Sequence, residues 1–297
     1  MIRLIALLAL VSAPLQAKTL RATPESFPAV AKAAKGGDTI ILDRSRQFGD
    51  VRLPPANHAV PVTIDATGTK LTSLTIRGTS GWKWVGGTID APLPPKAWVT
   101  VMIDGAKRIE VAGATLTGGQ TGVLVTRGSE DIVLRENIAT GLRSDGFNIA
   151  TATRVSLIGN TCKDFKPIPP VFQGKKMIKD GTHPDCIQIW SEKGKPPTSD
   201  IAIIGNRIGG GMQGITNFGA LPPERVRIWD NDIEMSGFWW AIAMKGTKEA
   251  DIRNNTVRTL PGSTAFGRPD VPARANVQAD NGNRCGNRVD GKADRKC

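Results

Sequence analysis

The chain has 297 residues, 39 Lys+Arg against 27 Asp+Glu, and a formal net charge of +12. Apolar residues make up 40% and charged residues 22%, which suits a globular protein with a sizeable core and excludes an intrinsically disordered chain. Its 33 glycines follow no three-residue period, so a collagen-like chain is excluded as well.

Residues 1–17 (MIRLIALLALVSAPLQA) read as a secretory signal peptide. Arg3 gives the positive start, residues 4–11 the apolar centre, and Ala17 a small-residue cleavage point. The apolar run is too short to span a bilayer, and no later run is long enough. This predicts an exported protein, periplasmic or extracellular, with no membrane span. Export also permits disulfides among the 4 cysteines.

Residues 27–35 (FPAVAKAAK) carry a short amphipathic helical pattern. A Gly-Gly-Asp-Thr turn and the strand pattern of residues 40–42 (IIL) follow. Stacked strands expose unpaired backbone at their end, and a helix placed there can cap it.

From residue 109 an internal repeat takes over. Residues 132–137 (IVLREN), 155–160 (VSLIGN), 201–206 (IAIIGN), 226–231 (VRIWDN) and 250–255 (ADIRNN) each read as a short alternating strand ending in Asn. An earlier copy, residues 109–114, has Ala in place of Asn. The Asn spacings are 23, 46, 25 and 24, and the 46 reads as one coil with insertions. A second strand follows in each coil: residues 122–125, 146–149, 186–189, 214–217 and 241–244. Such a coil is too short for a βαβ unit. It predicts stacked coils of parallel strands, with the Asn residues in sharp bends and their amides bonded from coil to coil.

After residue 260 the repeat fades, so residues 18–260 are expected to form the repeat domain and 261–297 an irregular segment covering the last coil. Cys285 and Cys297 bracket that polar tail, and a bridge between them would fasten it. The register sets Cys162 inward and Cys186 at an outward or bend position, which argues against a bridge between those two.

This organisation resembles the right-handed parallel β-helix proteins of the pectate-lyase-like superfamily. The resemblance covers roughly residues 25–260. It implies an all-β, single-stranded, right-handed parallel β-helix with an N-terminal capping helix.

The register also stacks chemistry. Asp145 and Asp185 stand immediately before equivalent strands, so their carboxylates should lie one above the other. Like charges so placed raise one pKa or gather a cation, which makes the pair a general acid or a shared Ca²⁺ site. His183, two residues from Asp185, is a candidate base, acid or charge neutraliser. Phe147, Ile149, Ile187 and Ile189 point inward. Asn148 and Gln188 point outward, with Trp190 and Lys245 one step further along. The long segment 166–182 precedes the Asp185 strand, and its Lys175, Lys176 and Lys179 would make one wall of a groove basic. Trp190, Trp239 and Trp240 offer flat faces to sugar rings.

The order of Asp145-Gly146, Asp185-Cys186-Ile187, Gly214-Ile215 and Lys245 is similar to the coil order of the polygalacturonase family. The resemblance implies functional roles for Asp145, Asp185 and Lys245. The chain departs from that family at Pro184, Gln213 and Met244, where an Asp, a His and an Arg-containing motif are expected.

The reading is an exported enzyme that degrades an acidic, uronic-acid-containing polysaccharide by β-elimination, with Asp145, His183, Asp185 and Lys245 as catalytic candidates. Asn148, Gln188, Trp190, Lys175, Lys176 and Trp240 are the substrate-binding candidates. The alternatives are a hydrolase built on Asp145 and Asp185, and a glycan-binding surface protein without catalysis. Nucleic acid is set aside because the basic residues are dispersed and no recognition motif appears. The chain is read as a monomer.

Overall fold

One rule of sequence lays down each coil. In the strand Ser129–Arg135, Ile132 and Leu134 turn inward and are fully buried, while Val133 and Arg135 between and after them are half-buried. The same inward pair recurs as Val155 and Leu157, Ile201 and Ile203, Val226 and Ile228, and Ala250 and Ile252. The strands pair parallel in that order, with Ile132 beside Val155, Val155 beside Ile201, Ile201 beside Val226 and Val226 beside Ala250. Each fully buried Ile, Val or Leu contributes about 1.5–3 kcal/mol, so the stacked column is the main stabilising term.

The computed structural model describes residues 16–92, 99–173, 176–218, 221–238, 240–265, 268–280 and 282–294. Among them, one sheet of 11 strands runs from Thr19–Ala22 to Gly282–Cys285. A second sheet of 18 strands runs as two stacks. The two meet at Lys70–Arg77, which pairs through Lys70 and Leu71 with Thr88–Ala91, and through residues 74–77 with Val99–Asp104. Each coil therefore contributes a strand to each of three stacks around one apolar core, and the fold is the expected all-β parallel β-helix. The helix forms over Phe27–Ala33, with Phe27 and Ala31 buried and the Phe27 ring edge-on to Phe48 at 6.4 Å.

The bend residues form an amide ladder. Asn137 Nδ2 donates to Asn160 Oδ1 at 3.0 Å, Asn160 to Asn206 at 3.0 Å, Asn206 to Asn231 at 2.9 Å and Asn231 to Asn255 at 2.8 Å. Asn287, not anticipated from sequence, extends the ladder by accepting from Asn255 at 2.9 Å. All are buried, so each amide satisfies groups that water cannot reach. One detail differs from expectation: the left-handed backbone belongs to the residue before each Asn, namely Glu136, Gly159, Gly205, Asp230, Asn254 and Gly286, with φ between 55° and 67°. The Asn side chains are chosen for their hydrogen bonds, not for their backbone.

Two further expectations are corrected. Parallel pairing does not stop near residue 260: Asn276–Ala279 pairs with Trp240–Met244, and Gly282–Cys285 with Lys248–Arg253. The low apolar content there hid the strands, because the pairing is carried by backbone. Cys162 and Cys186 are joined in a disulfide, with Cα atoms 5.7 Å apart. Alternation misplaces Cys186, since Asp185, Cys186 and Ile187 are all buried in sequence. Gly146 makes the room: a Cβ there would lie 2.8 Å from Cys162 Sγ and 2.7 Å from Cys186 O. Residues 1–15 of the expected signal peptide, Lys175, Trp239 and Cys297 lie outside the described residues.

Candidate active site

The site lies on the stack of strands Phe147–Ala150, Asp185–Trp190, Gln213–Thr216 and Trp240–Met244. Phe147 pairs with Ile187 and Asn148 with Gln188, which sets Asp145 and Asp185 on adjacent coils as the register predicts. The Asp185 backbone N–H donates to Asp145 Oδ1 at 3.3 Å. Asp145 is 6% exposed and Asp185 1%.

Each carboxylate is served by the amide three residues further along its own strand. Asn148 Nδ2 donates to Asp145 Oδ2 at 2.8 Å, and Gln188 Nε2 donates to Asp185 Oδ2 at 3.1 Å. The two amides are themselves joined, Asn148 Nδ2 to Gln188 Oε1 at 3.0 Å. Thr216, on the next coil, donates to Asp185 Oδ1 at 2.8 Å, and Ser144 donates to Asp145 Oδ1 at 3.3 Å. Trp190 Nε1 donates to Asn148 Oδ1 at 2.6 Å.

Burial pushes both carboxyls above the usual carboxylate range. For Asp145 the upward push is opposed by hydrogen bonds from Asn148, the Asp185 N–H and Ser144. For Asp185 it is reinforced by the charge of Asp145, and the rise is the larger one. Both carboxyls therefore hold a proton more readily than an ordinary Asp, and a pair so placed can share one proton between them.

That donor set suits a proton more than a divalent cation. The carboxylate oxygens already accept N–H and O–H bonds, and Ca²⁺ requires about six to eight oxygen ligands. Among the described residues, no group of three or more His, Cys, Asp or Glu side chains is gathered as a metal site.

His183 is exposed and bonded through Nε2 to Asp180 at 3.0 Å. The strand begins between His183 and Asp185, and Asp185 turns in while His183 stays in the loop. Lys176 is exposed on the strand Lys176–Lys179, which forms an antiparallel hairpin with Val171–Gln173. Lys245 Nζ stands 5.1 Å from the Trp240 ring centroid and 5.9 Å from that of Phe218. Phe218, which sequence reasoning passed over, meets Trp240 edge-on at 6.2 Å. The signal for it is positional: it follows Thr216 by two residues, as Trp190 follows Gln188.

Among solved structures, the chain is similar to pectate lyase Pel9A, with 11% identity over 94% of this chain and 82% of that one and a TM-score of 0.57. It also matches an alginate lyase from Paenibacillus (15% identity, 90% and 97% coverage, TM-score 0.48). A surface adhesin of Streptococcus pneumoniae, PfbA, matches at 8% identity, 86% and 80% coverage and a TM-score of 0.44. Likeness at such identities speaks to the fold, and Pel9A carries it: the chain is a parallel β-helix protein with the pectate-lyase-like architecture. No protein-family model and no curated protein matches the sequence.

Proposed function

We propose that the protein is a glycan-active enzyme in which Asp145 and Asp185 work as a base and acid pair, cleaving a glycosidic bond by hydrolysis. The observation that carries this reading is the pair of buried carboxyls on adjacent coils, linked by the Asp185 N–H to Asp145 Oδ1. Asp185 supplies the proton for the leaving glycosidic oxygen, a transfer that requires the bound sugar to displace its bond from Gln188. Asp145 takes a proton from the attacking water, or attacks the anomeric carbon itself, the choice depending on the separation of the two carboxyls. The half-buried Asn148, Gln188, Trp190 and Trp240 and the exposed Phe218 supply amides and ring faces for a sugar chain. The likeness in fold to a pectate lyase supports a polysaccharide as the substrate class.

A second reading is β-elimination on a uronate-containing glycan. It is favoured by Lys245, whose ammonium lies against two aromatic rings and could meet a sugar carboxylate or act as base. Export is consistent with either reading. Among the described residues, no helix is long and apolar enough to cross a membrane.

The test is purified protein on a panel of neutral and uronic-acid polysaccharides. New reducing ends without new ultraviolet absorbance support hydrolysis, and loss of both in Asp185→Asn assigns them to this site. Absorbance from an unsaturated uronate supports elimination. Retained turnover in Asp185→Asn overturns the site.

A further inference from the structure

We propose that Trp190 is a positioning residue whose indole N–H sets the direction of the amide chain serving the Asp145–Asp185 pair. The inference rests on the acid and base reading of that pair. An indole N–H can donate but not accept. Because Trp190 Nε1 lies 2.6 Å from Asn148, the group facing it must be Oδ1. Asn148 Nδ2 is thereby turned toward Asp145 Oδ2 at 2.8 Å and Gln188 Oε1 at 3.0 Å. With Oε1 so engaged, Gln188 must present Nε2 to Asp185 Oδ2 at 3.1 Å. One donor at the end of the chain thus fixes two amide orientations and gives each carboxyl one amide N–H.

Reversing Asn148 would set Nδ2 against the indole N–H and Oδ1 against the Asp145 carboxylate. Both contacts are repulsive, so the native direction is enforced at each end. Without the indole N–H only one end enforces it. The amides can then rotate in concert and turn their carbonyl oxygens to the carboxyls. A carbonyl oxygen facing a carboxyl favours its protonated form. The role is distinct from stacking on a sugar, since it depends on the nitrogen and not on the ring face.

The experiment is a pH titration of the Asp145 and Asp185 carboxyl ¹³C signals in the full mature protein, without substrate. In Trp190→Phe, which keeps a ring, the lower midpoint of the pair should rise by about half a pH unit or more. In Asn148→Ala the midpoint also moves, and adding Trp190→Phe to it should produce no further change. Near-ultraviolet and thermal unfolding measurements identify variants that stay folded. If Trp190→Phe does not fold, replacing Trp190 with its benzothienyl isostere, which lacks only the N–H, serves in its place. Unchanged midpoints in a folded variant overturn the proposal, as do additive shifts in the double variant. A rise in KM alone, with midpoints fixed, assigns Trp190 to sugar contact and also overturns it. Shifted midpoints in a protein that cleaves no glycan would uphold the inference and discard the enzymatic reading.

Discussion

Asp185 donates its backbone N–H to the side chain of Asp145, so the strand that carries one carboxyl also helps hold the charge of the other. The backbone bond lowers the proton affinity of Asp145, while the charge it protects raises that of Asp185. Replacing Asp185 by Asn should therefore reduce turnover by about 10² or more. It should also change stability in the opposite sense. A buried Asp whose pKa is raised binds more protons folded than unfolded, so stability falls as pH climbs from the unfolded value of about 3.9 through the raised one. The Asn variant lacks that fall. Its Tm at neutral pH should exceed that of the parent, with a flatter profile between acid and neutral pH. Scanning calorimetry across that range checks it, and an equal pH slope in both proteins would contradict the burial argument.

Gly146 faces the disulfide with no side chain to spare. Gly146→Ala should cost about 1–3 kcal/mol, because Cys162 Sγ and the Cys186 carbonyl must both shift. The double variant Cys162→Ala with Cys186→Ala should lose about 2–4 kcal/mol by opening the loop of sequence separation 24. In that background Gly146→Ala should cost less, with the contact to the Cys186 carbonyl left as the remaining clash. Urea unfolding of the parent and the three variants measures the coupling, and additive losses would mean that the glycine serves some other contact.

Asn206 sits midway in the amide ladder. Its Nδ2 donates to Leu157 O and Asn231 Oδ1, and its Oδ1 accepts from the Asn160 backbone and side chain. Asn206→Ala leaves those buried partners unpaired and should cost about 2–4 kcal/mol. Asn206→Asp should be worse at neutral pH and recover toward acid, since a protonated carboxyl can donate where the amide does. Denaturation at two pH values distinguishes the cases, and a loss in Asn206→Ala indistinguishable from that of a surface variant would argue against the ladder as a stabilising element.

On adjacent coils, Arg225 holds Asp200 through two bonds of 2.7 and 2.8 Å and lowers its pKa to about 2. The lowered value means stability present above the unfolded pKa of about 3.9 and lost as pH falls toward 2. With side chains 40% and 45% exposed, solvent screens the pair, and Asp200→Asn should cost less than about 1 kcal/mol. Unfolding free energies of parent and variant should converge in strong acid. A constant difference down to that pH would assign the effect to something other than charge.

The architecture was legible because the coil imposes its demands on every turn. Ile, Val and Leu recur in the inward positions, and Asn recurs where a buried bend needs an amide. The same register stacked Asp145 over Asp185. What escaped was set by loops, which obey no repeat. Alternation assumes that one face of a strand is open to water, yet Asp185, Cys186 and Ile187 are consecutive and all buried. Nothing in the sequence signalled that the His183 side chain meets Asp180, three residues before it. Asn287 was missed because 32 residues separate it from Asn255, a spacing that matches neither the intervals of 23 to 25 nor the 46.

The ladder has a sense of direction: every Asn from 137 to 255 donates its side-chain N–H to the coil that follows. Any whole coil spliced in or out with its Asn would leave a ladder of the same polarity, and the rungs stay joined over intervals of 23, 24, 25, 32 and 46 residues. The 46-residue interval between Asn160 and Asn206 joins at 3.0 Å, against 2.8 to 3.0 Å for the shorter ones, because its surplus is carried off the stack. Lineages built on this plan are therefore expected to change length in steps of one turn, and to vary freely only in what hangs between the rungs.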